Sequence, residues 1–322
     1  MPIISIMKIL FFTDTHIKSK NPRARIDDYE DSIYKKIEEI REISINENVD
    51  VILHGGDLFD KADVGIKTAS RFGKLFQRFP KKIFIISGNH DIYGYNPNSI
   101  DRAMMGLFNS LDVLELIEEG KPVIIEKDGL RVQISGQPYT HDIDSSDKSH
   151  YYPKRLDDVD YHILMIHSFL LYKKFIEQIE YTLIDQIMDT DCDIVLSGHY
   201  HTGFKTVKVN EKYFSNPGSI ARMTNTESER KRIPKVLLIE LTKEEINISD
   251  IYLKSAKKSE EIFSEKQVNP YSIKSKSLLD IKEKLSKLSS NPIIDINNNL
   301  KNIGKEMKID EDIINEAIRR IE

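Results

Sequence analysis

The residues most able to do chemistry lie where apolar runs stop. Lys82-Ile83-Phe84-Ile85-Ile86 is followed at once by Ser87-Gly88-Asn89-His90-Asp91. A strand of that type delivers its last residues to one edge of a sheet, where a glycine lets the chain turn sharply. Four other runs end in a similar way: Thr13-Asp14-Thr15-His16, Gly56-Asp57, His167-Ser168 and Gly198-His199-Tyr200-His201. Five of the nine histidines occupy these endings. A single histidine or aspartate after a strand is an ordinary satisfied turn residue. Five endings carrying Asp14, His16, Asp57, Asn89, His90, Asp91, His167, His199 and His201 call for another explanation. Nitrogen and oxygen donors without cysteine suit divalent Mn²⁺, Fe²⁺ or Zn²⁺ and disfavour a structural zinc. The donors suffice for two ions, an arrangement that clamps a phosphoryl group and activates water.

The elements that must position these residues alternate. Met7 to Phe12 reads as a strand, Ile26 to Ile45 as a helix with Ile33, Ile37 and Ile40 on one stripe, and Val49 to Leu53 as a strand. A helix from Val64 to Phe79 and the strand ending at Ser87 follow, giving β-α-β-α-β and hence a parallel sheet with right-handed crossovers. A third helix is expected from Ser99 to Leu111. Shorter strands come next, Val123 to Glu126 and Leu130 to Ser135 about an Asp128-Gly129 hairpin turn. Runs ending at His167 and Ser197 follow, then strands expected to be antiparallel at Phe204–Val209, Lys212–Asn216, Lys235–Leu241 and Ile246–Tyr252. The pattern predicts an α/β sandwich of two mixed sheets flanked by helices. Residues beyond the carboxyl ends of parallel strands converge on one crevice.

The 322 residues, 39% hydrophobic and 31% charged, describe a globular chain with ample core. No run is long enough for a membrane span, so no membrane association is expected. One cysteine, Cys192, fits a cytoplasmic location. The formal net charge of −5 argues against indiscriminate coating of nucleic acid. Past Lys254 the composition shifts to Lys, Ser, Asn and Glu, with Leu278, Ile281, Leu285 and Leu288 at helical spacing and a second stripe at Ile313, Ala317 and Ile321. Two regions are therefore expected, a catalytic domain over 1–254 and a small helical region over 255–322.

Taken in order, Asp14-x-His16, Gly56-Asp57, Gly88-Asn89-His90-Asp91, His167 and Gly198-His199-x-His201 resemble the five-part signature of the calcineurin-like metallophosphoesterases. The resemblance covers roughly Met7 to Tyr252 and implies a β-sandwich flanked by helices. It implies one metal on Asp14, His16 and His201 and another on Asn89, His167 and His199, with Asp57 bridging. It also implies His90 at the leaving oxygen, with Asp91 holding His90. Gly56-Asp57-Leu58-Phe59-Asp60, the helical spacer after His16 and Asn216-Pro217-Gly218-Ser219-Ile220 are similar to the Mre11/SbcD-like DNA nucleases. That resemblance implies two Mn²⁺ ions, DNA as substrate, a Rad50/SbcC-like ATPase gripped by the C-terminal helices, and a homodimer formed by helices near Met104, Met105, Phe108 and Leu111; plain core is the other reading of those four. Some relatives carry a histidine at the position of Asp60, and the region after Tyr252 is short for the family, which implies a reduced form. A phosphatase or cyclic-nucleotide phosphodiesterase acting on a small molecule is the alternative enzyme. A scaffold with a degenerate site is the alternative outside enzymes, and the intact ligand set opposes it.

Lys67, Arg71, Lys74 and Arg78 share one face of the second helix, opposite its phenylalanines. They read either as a solvated face or, with Lys18, Lys20, Arg23 and Arg25, as a DNA-backbone track. His54, His141, His150 and His162 have no distinguishing spacing, although the loop at His141 could overhang the site. Cys192 reads as a small buried apolar residue.

Overall fold

The structure, a computed structural model, describes residues 6–175 and 179–264. The stripes expected over 278–321 lie outside the described residues. In chain order the elements are β1 (Met7–Phe12), α1 (Tyr29–Asn46), β2 (Val51–His54), α2 (Ile66–Phe76), β3 (Ile83–Ile85), α3 (Met104–Ser110) and β4 (Glu115–Leu116). There follow β5 (Val123–Lys127), β6 (Leu130–Gln137), β7 (Tyr161–Ile166), β8 (Leu170–Leu171), β9 (Thr182–Leu183) and β10 (Ile194–Ser197). Last come β11 (Phe204–Val209), β12 (Lys212–Asn216), α4 (Glu227–Lys231), β13 (Lys235–Leu241), β14 (Ile246–Tyr252) and α5 (Ser259–Ile262).

Two six-stranded sheets result, ordered β14-β13-β1-β2-β3-β4 and β11-β12-β10-β7-β6-β5. β1 through β4 are parallel, as the alternation requires, and β13 closes the other side of β1 in antiparallel register, Ile9 opposite Ile239. In the second sheet β6, β7, β10 and β12 are parallel. Lys212–Asn216 was expected to be antiparallel; it is so only to β11 and runs parallel to β10.

Side chains alternate across each strand and so sort into layers. Met7, Ile9 and Phe11 of β1 meet Val132, Ile134, Ile163, Met165, Ile194 and Leu196 between the sheets. Leu10 and Phe12, on the other face, meet Ile33, Ile37 and Ile40 of α1 and Phe72 and Leu75 of α2. Helix α1 starts three residues later than the expected Ile26 because Asp28 caps it, accepting from Asp31 N at 2.9 Å. The helix expected from Ser99 to Leu111 is interrupted. Pro97–Arg102 forms a 3₁₀ turn, Ala103 is extended, and the Met104 N–H is taken by the Ala62 carbonyl at 2.8 Å. Within α3, Met105 and Phe108 are core and Leu107 is exposed, as is Leu111 just after the helix. Packing continues beyond Lys254: Ile262 and Phe263 are buried and Ile26 N donates to the Ile262 carbonyl.

Candidate metal centre

β1, β2 and β3 of one sheet and β7 and β10 of the other end at the same edge of the sandwich, and all five ligand-bearing turns meet there. Their backbones are tied directly. Asp14 N donates to the Gly56 carbonyl and His16 N to the Asp57 carbonyl, each at 3.0 Å, while Gly198 N donates to the Ile166 carbonyl at 3.1 Å. Asp14, His16, Asp57 and His199 all have positive φ, between 42° and 69°. Such strain gathers at functional turns and persists only where the surroundings over-determine it. At Gly88 a Cβ would lie 2.1 Å from Asp57 Oδ1, so only glycine lets the third turn approach the second.

Two clusters of potential ligands share one residue: Asp14, His16, Asp57 and His201, and Asp57, His167 and His199. In the first, His16 Nε2 lies 2.9 Å from His201 Nε2, 3.6 Å from Asp57 Oδ2 and 3.8 Å from Asp14 Oδ1. In the second, His167 Nε2 lies 3.4 Å from Asp57 Oδ2 and 3.3 Å from Asn89 Oδ1. Two donors each about 2.1 Å from one ion stand roughly 3.0–3.4 Å apart at octahedral or tetrahedral angles, and the observed spacings, 2.9 to 3.8 Å, bracket that range. Asp57 Oδ2, common to both clusters, is buried with no hydrogen-bond partner among the described residues, while its Oδ1 accepts from His90 N at 2.9 Å. A buried carboxylate oxygen left without a donor is costly unless a cation reaches it. The donor set therefore fits a pair of divalent ions.

Protonation agrees with that fit. Burial holds His199 down to about 3 and His201 to about 4, so both are neutral and carry free lone pairs. Burial opposes charge on His167 as well, but the Asp57 carboxylate outweighs it and lifts His167 to about 9. His167 Nδ1–H donates to the Gly55 carbonyl at 2.8 Å, so the cation favoured there, proton or metal, sits on Nε2. Burial would raise Asp14, yet the imidazoles of His16, His201 and His167 keep it below the usual carboxylate range.

His90 stands beside this centre, its ring edge-on to His16 at 4.8 Å between centroids. Its Nδ1–H donates to the Asp60 carbonyl at 2.8 Å, which turns Nε2 away from that turn. The expectation that Asp91 holds His90 is corrected. Asp91 Oδ2 accepts from Gly88 N (2.9 Å) and Leu58 N (3.2 Å), and Oδ1 accepts from Phe59 N (3.0 Å), so the carboxylate ties the second turn to the third and leaves the imidazole to Asp60. Burial, and then the Asp57 charge, push Asp91 up to about 7 against the Phe59 and Gly88 donors. A cavity of about 330 Å³ opens next to Asn89 and His90, lined also by Asp60, Lys61, Asp63, Tyr93 and Tyr95.

The basic track is also corrected in part. Arg71 pairs with Glu30 and Asp31, and Arg78 with Glu38, all on α1, so these two guanidiniums pin α2 to α1. Lys67 and Lys74 are exposed, as are Lys20 and Arg23. Arg25 is buried against Asp27, and Lys18 reaches Asp60 at 2.9 Å.

Residues outside the expected ligand set brace it, and of these Thr15, Ser219 and Ile220 lie in motifs quoted above, whereas His54 and Lys36 do not. The His54 ring accepts from Gly56 N through Nδ1 at 3.2 Å. Its Nε2–H faces Thr15 Oγ1 at 3.2 Å, and Thr15 in turn donates to the Leu58 carbonyl, so one buried chain braces both sides of Asp57. Ser219 Oγ donates to the Asp14 carbonyl at 2.7 Å and Ser219 N to the His201 carbonyl at 3.0 Å, joining first and last motifs. Lys36, fully buried on the apolar face of α1, donates to the Ile220 carbonyl at 2.8 Å. Burial holds its pKa well below normal, with Arg25, Arg222 and Arg232 adding to that effect. A lysine at i+3 from Ile33 and i−4 from Ile40 was the available clue.

Among curated proteins, the DNA double-strand break repair protein Mre11 of Saccharolobus solfataricus is 27% identical over 145 residues, 44% of this chain and 35% of that protein. The protein of the same name from Thermoplasma acidophilum is 28% identical over 131 residues, 39% of this chain and 33% of its own. The matched stretch is thus about a third of either relative's length. Among solved structures, purple acid phosphatase PPD1 from yellow lupin aligns with a TM-score of 0.49 at 12% identity, over 79% of this chain and 53% of that one. The family model described as calcineurin-like phosphoesterase matches residues 7–203, more than half of the 322, and contains every one of the five motifs. The chain belongs to the calcineurin-like phosphoesterase family.

Proposed function

We propose that this chain is a two-metal phosphodiesterase acting on DNA, a nuclease similar to Mre11, with Asp14, His16 and His201 holding one ion, Asn89, His167 and His199 the other, and Asp57 shared. The Asp57 Oδ2, buried without a hydrogen bond and 3.6 Å from His16 Nε2 and 3.4 Å from His167 Nε2, is the observation that carries the two-ion reading. The two curated relatives support the choice of DNA. Oxygen and nitrogen donors without cysteine support Mn²⁺, with Fe²⁺ and Zn²⁺ as alternatives. When bound, such ions stabilise charge on the phosphoryl oxygens and activate water for in-line attack.

The remaining steps belong to the protein. Asn89 and the backbone of its turn position the phosphoryl group at the mouth of the cavity. His90, fixed by the Asp60 carbonyl, presents Nε2 to the leaving oxygen as a proton or hydrogen-bond donor. Lys20, Arg23, Lys67 and Lys74 are the exposed cations on the segments flanking the first motif and on α2, the group left to meet backbone phosphates. A Rad50/SbcC-like ATPase is the partner proposed for the C-terminal region, and a homodimer through the α3 neighbourhood is proposed from the exposed Leu107 and Leu111. Among the described residues no helix is long and apolar enough to cross a membrane.

The test pairs substrates. Linear and circular DNA and a small chromogenic phosphomonoester are each incubated with Mn²⁺ and with chelator. Metal-dependent DNA cleavage with slow monoester turnover supports the reading. Rapid monoester turnover with intact DNA would replace it by a small-molecule phosphatase.

A further inference from the structure

The metal cluster does not explain the rings that surround it. Six aromatic side chains among the described residues are exposed: Tyr93, Tyr95, Tyr152, Tyr172, Phe175 and Tyr252. Four of the six follow ligand-bearing turns, Tyr93 and Tyr95 just after His90, and Tyr172 and Phe175 just after His167. Scattered exposed rings need no explanation, but a concentration at the mouth of one cleft marks a binding surface. Tyr95 makes the point sharply, because its backbone is left-handed, φ 59°, while its ring is 58% exposed. A bulky residue in that conformation costs free energy, and no packing of the ring in the core repays it.

The rings are continuous. Tyr95 lies 6.0 Å from Tyr139, and Tyr139 lies 5.8 Å from His199. On the far side Phe169 lies 5.7 Å from His199 and 5.5 Å from Phe175. An arc of aromatic faces thus runs from the cavity beside His90, past the second ligand cluster, to the loop after β8. Charge divides along the same line. The cavity end carries Asp60 and Asp63 with Lys61, a poor seat for a second phosphate, whereas Lys173 and Lys174 stand between Tyr172 and Phe175. Neutral flat groups suit the rings, and phosphates suit the two lysines.

We propose that this arc stacks the unpaired bases on either side of the scissile phosphate, so that the substrate presented to the metals is single-stranded DNA. The inference rests on the nuclease reading above and adds what selects the strand. Bases in a duplex are already stacked and paired, and offer their faces only at the ends, whereas every unpaired base has a face for an aromatic side chain. Cations on the same loop then track the backbone.

The experiment is a cycle in which bases and rings are removed in turn. Anisotropy is measured for the full chain with a labelled oligothymidylate, an abasic oligomer of equal length and a blunt duplex, in buffer with chelator so that nothing is cleaved. Wild type should bind the thymidylate at least about tenfold more tightly than the abasic strand. Tyr95→Ala and Phe175→Ala should each weaken thymidylate binding about 5- to 150-fold, while abasic binding stays within about twofold. Tyr95→Trp, which keeps a stacking face, should retain the preference. Equal wild-type affinity for thymidylate and abasic strands would overturn the proposal, as would equal losses on both strands in the alanine variants. A chain that prefers bases but cleaves no DNA with Mn²⁺ would remove the nuclease reading and keep the arc as a single-strand binding site.

Discussion

Asp91 gives the sharpest separation between a group that orients the His90 imidazole, proposed to act on the leaving oxygen, and one that builds the site's backbone. Its carboxylate is fully buried and accepts three backbone N–H groups, from Gly88, Leu58 and Phe59, while the His90 ring bonds to the Asp60 carbonyl instead. In Asp91→Asn the amide oxygen can take the place of Oδ2 and keep the Gly88 and Leu58 bonds. The NH₂ group then faces the Phe59 N–H, donor against donor. Above about pH 8, where the Asp91 carboxylate is ionised, two charge-assisted bonds become neutral and one buried donor is orphaned, a loss of about 2–4 kcal/mol. For a chain of 322 residues, with an unfolding entropy of about 0.7 kcal/mol/K, that lowers the melting temperature by about 3–6 °C. Thermal unfolding of the two proteins measures it directly. The same variant is then combined with His90→Asn and turnover is compared. Acting through backbone, Asp91→Asn lowers turnover by a similar factor in both backgrounds. A melting temperature unchanged within a degree, together with a turnover loss that vanishes when His90 is already absent, would refute this reasoning and restore the imidazole-orienting role.

Asp57→Asn removes the carboxylate shared by the two clusters, so elemental analysis should find fewer than two ions per chain and turnover should be nearly abolished, with the fold retained. His90→Asn should lower turnover about 10²- to 10⁴-fold while metal content stays at the wild-type value. His162 sits buried between Ser135 and Cys192, and burial depresses it to about 4 against about 6.5 in an unfolded chain. The unfolded state therefore binds more protons between those values, and the stability this residue contributes, complete above pH 6.5, is lost as pH falls towards 4. Urea unfolding should show His162→Asn losing about 2 kcal/mol less than wild type between pH 7 and pH 4.5.

The five turns were legible because each combines a strand period with residues that no core would tolerate without partners. Asp14 and His201 are far apart in sequence, yet both are announced by the apolar runs before them. Strand limits at Phe204–Val209, Lys212–Asn216, Lys235–Leu241 and Ile246–Tyr252 followed from turn residues and alternation, and the structure keeps them. What could not be read was pairing that leaves no local trace. The parallel match of β12 to β10 depends on which edge the hairpin docks against, and nothing within Lys212–Asn216 encodes it. The break at Ala103 depends on a carbonyl some forty residues earlier. Arg71 and Arg78 looked like a solvent face because a helix period cannot reveal that α1 brings Glu30, Asp31 and Glu38 alongside. His54 and Asp91 show the same limit: side chain type marks a residue as chemically able, while its hydrogen-bond partners decide whether it meets substrate or backbone.

The bracing explains how a site with four ligands in left-handed backbone can be stable. Each such residue costs of order 1 kcal/mol or more, and the compensation is visible around it. The Asp14 and His16 amides are spent on the Gly56 and Asp57 carbonyls, and the Asp14 carbonyl receives both Ser219 Oγ and Ala221 N. The loop that makes those contacts is itself held from outside the site, by Lys36 on the Ile220 carbonyl and by Arg232 on the carbonyls of Ser219 and Ala221. A buried lysine and a guanidinium thus act at a distance from the phosphoryl chemistry, through a single loop. The strain in these turns is therefore met by hydrogen bonds that reach them from outside the site.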